Sequence, residues 1–537
     1  MKEIIKGFFL TGLFLLVLFN CSNACTSIVV TKEATVDGSV IITYLCDGEF
    51  LGKLRIIPSA EHSPDEYIEF KNRKGEVIKV PQVPHTYNVV GLMNEHQLAI
   101  GETTFGGRKE LRNPDGLFHY WDLMILALQR AKTAREAIKI ITSLAEKYGY
   151  RSTGETFSIA DKNEVWLLEM IGKGPGRKGV VWVAKRMPDG EVSVHANMAR
   201  IRDFPKNDPE NAMYSENVIS FAIEMGYYNP KSGKPFSFAD AYDPPDSEKL
   251  KHCARRVWRV LSRVAPSLNL SPDFSNAVPN ANPYPFSVKP DKKLSIRDVI
   301  ALLRDHYEGT PFDMRRGVDA GPFHLPYRWR PLSWKVNGKK YSWERPISTQ
   351  QTSFSFVSQS RSFLPDPIGG VFWYSPDDTY TNCYVPFYCS ITEIPEEYQK
   401  GDLQHFSEDS AWWIFNFVSN FAYLKYDYML KDIQKIQKEL EDLYFSIQPA
   451  IEKTALYLYE KNPELMRIYL TNYSNDTARR TFRKWQELAE YLITKYNDGY
   501  VKDEKGRPKG VGYPLDWLER VIKENPDKFK VKEEKKN

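Results

Sequence analysis

One cysteine stands out in this 537-residue sequence because of what lies on each side of it. Cys25 directly follows the small-residue stretch 22–24 and directly precedes the strand-like run 26–30. A thiol attacks carbonyl carbon atoms as the thiolate, so it needs a base within hydrogen-bond reach. A cut before Cys25 would expose an α-amino group with a pKa of about 8, which can act as that base. The pattern therefore predicts a nucleophile that becomes active only after cleavage.

The residues before Cys25 have the composition of an export signal. Lys2 and Lys6 provide a positive start, the run 7–19 is apolar, and small residues precede the expected cut. We therefore predict a signal peptide over residues 1–24 and an exported protein, periplasmic or extracellular, that begins at Cys25. Two alternatives stay open: a permanent membrane anchor, and lipidation at Cys21, which the bulky residue Asn20 before it disfavours.

Composition narrows the class of protein. The chain is 42% hydrophobic and 13% aromatic, enough for one large core with an appended subdomain. The formal net charge is only +4, and no basic block is dense enough to follow a phosphate backbone, which argues against nucleic-acid binding. No second apolar run compares with the signal, so we expect no membrane association after its removal. Residues 528–537 read as a solvated, charged tail.

The remaining cysteines and histidines indicate neither a disulfide scaffold nor a metal site. Four cysteines besides Cys21 and Cys25 are too few to staple a chain of this length. A bond between Cys383 and Cys389 and a pair of buried free thiols both stay open. There is no His-Glu-x-x-His run, no paired-cysteine ligand motif and no phosphate-binding glycine loop, so we expect neither metal nor cofactor.

The hydrophobic pattern predicts strand pairs, then helices, then more strand pairs. Asp37-Gly38 is a turn between two β-rich runs, and Thr133 to Glu136 has the form of a capping box that opens a helix ending at Gly149. The predicted strand pairs are 26–31 with 39–45, 88–92 with 98–103, 157–160 with 165–170, and 180–185 with 192–196. This order predicts an α+β fold in which two antiparallel sheets pack face to face with helices outside.

The sequence also resembles a known family. The start Cys25-Thr26, the turn at Asp37-Gly38-Ser39 and the acidic end at Asp47 resemble the N-terminal-nucleophile (Ntn) cysteine hydrolases, whose fold is a four-layer αββα sandwich. Later motifs are similar to those of the PepD-type cysteine dipeptidases: Gly91 to Thr104, Ala131 to Ala137, Val194 to Asn197, Tyr307 to Met314, Ala320 to Phe323, and Gly369 to Trp373. The likeness runs from Cys25 to about Tyr398. We accordingly expect a catalytic domain over 25–405 and a helical C-terminal extension with a charged tail over 406–537.

The resemblance implies roles for four further residues. Asp47 matches an acidic residue that hydrogen-bonds the nucleophile and its amine, and Asn197 matches an asparagine of the oxyanion hole. Thr104 stands where more distant relatives have a second asparagine, which implies a donor from its hydroxyl or the local backbone; an ordinary strand residue is the alternative. Arg256 matches an arginine beside the nucleophile, although a solvated basic helix face is the alternative. Relatives often carry arginine where this chain has Tyr44.

The resemblance also implies the reaction: hydrolysis of dipeptides through a thioester on Cys25. Binding a free ammonium and carboxylate needs fixed charges, for which Glu102, Asp313, Arg315 and Arg316 are candidates. An Ntn amidase that acts on conjugated bile acids or penicillins stays open, as does a lipidated, non-catalytic surface protein. A papain-like mechanism through His195 is disfavoured, since the sequence around Cys25 lacks that signature. A lid or a homo-oligomer contact stays open for the helical extension.

Overall fold

The computed structural model describes residues 25–531 of the chain. The predicted signal peptide, including Cys21, and the end of the charged tail lie outside the described residues. In the described range the protein is a mixed helix and sheet structure, in agreement with the α+β prediction.

The first hairpin forms as the sequence predicts. Strand β1 (Ser27–Val30) pairs antiparallel with β2 (Val40–Asp47), with Val29 opposite Ile42. Gly38 between them has φ +74°, a conformation that glycine adopts without steric cost, and the Asp37 carboxylate accepts hydrogen bonds from Ser39. All residues of both strands are buried, because the hairpin lies inside a sheet that is covered on both faces.

The hairpin belongs to a sheet that runs β14-β1-β2-β18-β19-β20, six strands among residues 25–531, with neighbouring strands antiparallel. Its other four strands are β14 (Val192–His195), β18 (Thr352–Ser360), β19 (Val371–Pro376) and β20 (Val385–Tyr388).

A second sheet of eight strands, counted over the same residues, runs β15-β13-β12-β11-β10-β9-β8-β3 and is also antiparallel. Its strands are β3 (Ile56–Ile57), β8 (Val89–Val90), β9 (Met93–Asn94), β10 (Ala99–Gly106), β11 (Gly154–Ala160), β12 (Val165–Gly172), β13 (Val180–Arg186) and β15 (Ala212–Tyr214). Short peripheral hairpins pair β4 (Ala60–Glu61) with β7 (His85–Thr86), β5 (Tyr67–Lys71) with β6 (Val77–Pro81), β16 (Ser333–Val336) with β17 (Lys339–Ser342), and β21 (Val501–Lys502) with β22 (Pro508–Lys509).

Two predicted strand pairs are wrong. Residues 88–92 do not form a two-stranded hairpin with 98–103, because β9 lies between β8 and β10 and pairs with both. The runs 180–185 and 192–196 flank a Pro-Asp-Gly turn, but they do not form a hairpin. Strand β13 pairs with β12 and β15 in the eight-stranded sheet, whereas β14 pairs with β1 in the six-stranded sheet. The chain crosses between sheets at this turn because β14 pairs with the edge of β1 that β2 leaves open. This pairing brings the residues after β14 beside Cys25.

The α-helices of the described range lie in three groups along the chain. The first two are α1 (Tyr120–Arg130) and α2 (Ala134–Tyr148). The next six are α3 (Val218–Glu224), α4 (Phe238–Tyr242), α5 (Ser247–Lys249), α6 (Arg255–Val264), α7 (Ile296–Leu303) and α8 (Asp366–Gly369). The last four are α9 (Ala411–Ala422), α10 (Tyr426–Lys461), α11 (Pro463–Tyr496) and α12 (Leu515–Glu524).

The packing of these elements buries one large core. Strand β2 packs across the interior against β10 and β11, so the two sheets face each other. Helix α2 packs on β11, β12 and β13, while α10 and α11 pack on β20. Trp373 of β19 stacks on Phe445 of α10 with 4.3 Å between ring centroids. The C-terminal helices therefore share the core of the six-stranded sheet.

Candidate active site

Cys25 lies two residues before β1, in the interior between the two sheets, with no exposed surface. Its Sγ lies 3.9 Å from Tyr44 Oη and 3.9 Å from Glu102 Oε1. Tyr44 in turn donates a hydrogen bond to Glu102. Burial raises the pKa of the Cys25 thiol well above its usual value, and a hydrogen bond with Cys46 and the charge of Glu102 raise it further. Ionisation of this thiol therefore depends on a nearby cation or base.

Arg256 is the cationic group in contact with the Cys25 residue. Its guanidinium, which has no exposed surface, donates from Nη1 to the Cys25 carbonyl oxygen at 2.6 Å and to Thr26 Oγ1 at 2.8 Å. The second amino group, Nη2, donates to Asn197 Oδ1 at 3.0 Å. The face of α6 that carries Arg256 is thus inside the protein, which is not the solvated basic face considered as the alternative.

Asn197 reaches the same place through strand pairing. Ser27 lies opposite His195 in the β1–β14 register, and continuing that register places Asn197 opposite Cys25. Asn197 has φ +58°, a left-handed conformation that asparagine tolerates better than most residues. Its Nδ2 donates to the Thr104 carbonyl oxygen at 2.8 Å. The side-chain amide is therefore held in a fixed orientation next to Cys25.

Both the backbone carbonyl and the side-chain hydroxyl of Thr104 are engaged in hydrogen bonds. Its carbonyl accepts from Asn197, and its hydroxyl donates to Glu155 Oε1 at 2.9 Å. A hydroxyl carries one proton, so this proton is directed at the carboxyl rather than at a substrate oxygen. Thr104 connects the asparagine to a buried acidic group.

Asp47 lies at the end of β2 and contacts groups other than the thiol. Arg345 Nη2 lies 2.5 Å from Asp47 Oδ2, and Thr352 donates to Oδ1 at 2.7 Å. Burial raises the pKa of the Asp47 carboxyl, while Arg345 and Thr352 act in the opposite direction. Its charge also contributes to the raised pKa of Cys25. The proposed bond from Asp47 to the nucleophile stays a prediction.

Sequence reasoning missed two residues of this centre. Arg345, which pairs with Asp47, lies in a region with no motif, and Glu155 lies outside the predicted strand 157–160. The signal for Glu155 was an acidic residue inside a fully buried strand, because buried carboxyls are rare unless they are paired. Glu102 has the same signature and was a candidate for binding the substrate ammonium.

The other candidates for substrate charges compensate one another. Asp313 forms an ion pair with Arg315 at 3.1 Å and with Arg316, whose side chain is 78% exposed.

His195 is buried between two hydroxyls, with Nδ1 2.7 Å from Thr103 Oγ1 and Nε2 2.5 Å from Ser158 Oγ. Burial lowers the pKa of His195 to about 3, so the ring is neutral and structural.

Three further observations concern the described residues 25–531 alone. The five cysteines in this range are free, including Cys383 and Cys389. In the same range no three His, Cys, Asp or Glu side chains come together where they could hold a metal ion. None of the helices between these residues is both long and apolar enough to cross a bilayer.

Comparison with known sequences shows which protein family the chain belongs to. Residues 66–439 match peptidase family C69, so the chain belongs to that family.

Curated relatives carry related names. A "Probable dipeptidase" of Salmonella dublin is 28% identical over 402 residues, which cover 71% of this chain and 83% of that protein. A "Dipeptidase" of Bifidobacterium longum is 26% identical over 430 residues, or 72% and 75% of the two chains. A "Probable dipeptidase B" of Streptococcus pyogenes is 24% identical over 501 residues, or 89% and 94%.

Proposed function

We propose that this protein is an exported cysteine dipeptidase of the Ntn class, with Cys25 as its nucleophile. The observation that carries the proposal is the convergence of Arg256 and Asn197 on the Cys25 residue, just before the buried strand β1. The dipeptidase names of the relatives support the substrate class. The packing of helices, sheet, sheet and helices supports the four-layer αββα fold.

The mechanism begins with removal of residues 1–24. The freed α-amino group of Cys25 takes the thiol proton, and the thiolate attacks the scissile carbonyl carbon. The Asn197 amide stabilises the oxyanion, a role for which one donor contributes about 3 kcal/mol. The Cys25 ammonium then protonates the departing amine of the substrate. The Cys25 α-amine, neutral again, activates a water molecule that hydrolyses the thioester.

Arg256 and Asp47 act on this reaction indirectly. Arg256 fixes the Cys25 carbonyl and the Asn197 amide, so both keep the geometry that attack requires. The positive charge of Arg256 next to Cys25 favours the thiolate over the thiol. Asp47 holds the ammonium that forms when the amine takes the thiol proton, and Arg345 and Thr352 position its carboxylate.

The test compares two chains that differ at the N-terminus. One begins at Cys25, and the other carries an additional Gly-Ser before it, which converts the amine into an amide. We expect release of free amino acids from alanyl-alanine by the first chain alone, and loss of that activity in Cys25→Ala. Equal activity of both chains would refute the amine as base. Cleavage of penicillin V or glycocholate with no dipeptide cleavage would favour the amidase alternative.

Export is tested separately, by intact mass and N-terminal sequencing of the protein recovered from its native cells. A chain that begins at Cys25 is expected. A lipidated start at Cys21 would leave the Cys25 nitrogen in an amide, and it would contradict both the localisation and the mechanism.

A further inference from the structure

Two carboxyl groups lie side by side next to the nucleophile. Glu102 is on β10 and Glu155 on β11; Thr104 is directly opposite Glu155, so Glu102 lies one diagonal step away on the same face of the sheet. Neither side chain has any exposed surface. Such burial is costly for two acidic groups and calls for a physical reason.

Each carboxyl has one oxygen that the protein satisfies and one that it does not. Tyr44 donates to Glu102 Oε1, and Thr104 donates to Glu155 Oε1. No N–H or O–H group of the described residues donates to Oε2 of either glutamate. Buried acceptors almost always have a donor. The two Oε2 atoms have none except a proton shared between the carboxyls, so they mark a position that can accept a hydrogen bond from a ligand.

The electrostatic surroundings favour a cation at this position. Besides each other, the side chains that act most strongly on the two carboxyls are those of Tyr44, Thr104, Cys25 and Asp47, and none of these side chains is positively charged. Burial raises the pKa of Glu102 to about 7, and burial together with Glu102 raises that of Glu155 well above its usual value. Without a ligand, the pair is therefore held together by a shared proton.

The distance to the nucleophile matches one part of a dipeptide. Glu102 Oε1 lies 3.9 Å from Cys25 Sγ. In an α-amino acyl group the nitrogen lies about 2.5 Å from the carbonyl carbon, since it is two bonds away. The attacked carbon lies about 3–3.5 Å from the nucleophile at the start of the reaction. A free α-ammonium on the attacked residue therefore comes within hydrogen-bond reach of this pair.

We propose that Glu102 and Glu155 bind the free α-ammonium of the substrate's first residue and so restrict the enzyme to peptides with an unblocked N-terminus. The ammonium donates to the two Oε2 atoms, and its single positive charge balances the single negative charge of the pair, which keeps its shared proton. The inference rests on the proposed dipeptidase function and adds the group that selects the substrate.

The same arrangement couples binding to activation of the thiol. The charge of Glu102 opposes ionisation of Cys25. A bound ammonium beside Glu102 offsets that charge, so the thiolate is favoured when a correct substrate is present. An N-acylated peptide brings no cation and leaves the carboxyl pair uncompensated, which disfavours both its binding and its cleavage.

The experiment compares alanyl-alanine with N-acetyl-alanyl-alanine in the chain that begins at Cys25. We expect the wild type to prefer the free amine by at least about 100-fold in kcat/KM, because a site built for a polar group rejects an analogue that lacks it. Glu102→Gln and Glu155→Gln should lower this preference at least about tenfold, chiefly through a higher KM for alanyl-alanine.

Glu169→Gln is the matched control. Glu169 is also a buried glutamate, on the neighbouring strand β12, but it accepts hydrogen bonds from the Arg200 and Ile201 backbone and does not contact Cys25. The Glu169→Gln variant should prefer alanyl-alanine over N-acetyl-alanyl-alanine to the same extent as the wild type. An unchanged preference in both Glu102→Gln and Glu155→Gln would overturn the proposal while leaving dipeptide hydrolysis intact. No cleavage of either peptide by the wild type would instead contradict the proposed function.

A measurement on unmutated carboxyls covers the case in which the glutamine variants do not fold. Propanoyl-alanine has the shape of alanyl-alanine without its amino group. In calorimetry with the Cys25→Ala chain, alanyl-alanine should bind at least about tenfold more tightly than propanoyl-alanine. Equal affinities would show that no ammonium site exists and would overturn the proposal.

Discussion

Arg256 and Cys25 are joined by a hydrogen bond from Nη1 of the guanidinium to the Cys25 carbonyl oxygen, with 2.6 Å between the two atoms. The same guanidinium donates to Asn197 Oδ1. A single buried side chain of α6 therefore fixes both the residue proposed to attack and the residue proposed to stabilise the oxyanion. The positions of Cys25 and Asn197 and the positive charge beside them therefore both depend on the Arg256 guanidinium.

Arg256→Lys keeps the positive charge but removes the planar fork that makes these bonds. We expect kcat/KM for alanyl-alanine to fall about 100-fold, because small displacements of reacting groups cost that much. Arg263→Lys, on the same helix but bonded to Ala301 and Asp305, is the control and should keep its activity. Full activity in Arg256→Lys would show that charge alone is sufficient.

Asn197→Ala removes the proposed oxyanion donor. We expect kcat to fall about 100- to 1000-fold with little change in KM, since the interaction is made mainly in the transition state. Asn113→Ala is the control: this asparagine is also buried, but it donates to the Arg177 carbonyl. A higher KM at unchanged kcat would assign Asn197 to substrate binding instead.

The buried pair of Asp47 and Arg345 is expected to couple strongly in stability. Arg345→Met leaves the Asp47 carboxylate without its cation, and losing one partner of a buried pair costs about 3–5 kcal/mol. The double variant Asp47→Asn with Arg345→Met should lose much less than the sum of the two single losses. Urea unfolding of the four chains measures this. Additive losses would contradict a direct interaction.

The raised pKa of Glu169 predicts how the free energy of unfolding changes with pH. Burial raises its pKa from 4.5 to about 7, so between these values the folded state binds more protons than the unfolded state. The contribution of Glu169 to stability is therefore full below about pH 4.5, falls as pH rises, and has fallen by about 3 kcal/mol above pH 7.

Glu169→Gln has no such titration. The free energy of unfolding of the variant, relative to wild type, should therefore be about 3 kcal/mol higher at pH 8 than at pH 5. Urea unfolding at both pH values measures this difference, and the other titrating groups cancel because both chains contain them. The same difference at both pH values would show that Glu169 does not carry a raised pKa.

Local patterns in the sequence were enough to predict several elements of the fold. The β1–β2 hairpin follows from Asp37-Gly38 between two apolar runs, and α2 begins after Thr133 and ends before Gly149 as predicted. The family also followed from short motifs, and the match over residues 66–439 confirms it. These features depend on neighbours within a few residues, where turn and capping preferences act directly.

The sequence by itself determined the candidate nucleophile, because a cysteine between a small-residue stretch and a strand is a local pattern. Only the tertiary structure decided what surrounds Cys25. Arg345 reaches Asp47 across 298 positions of sequence, and Glu155 lies beside Glu102 only because β10 pairs with β11. It also decided that β14 leaves β13 to pair with β1. The physical reason is that strand pairing and buried charge compensation depend on which surfaces meet in the folded core, and no local preference specifies that.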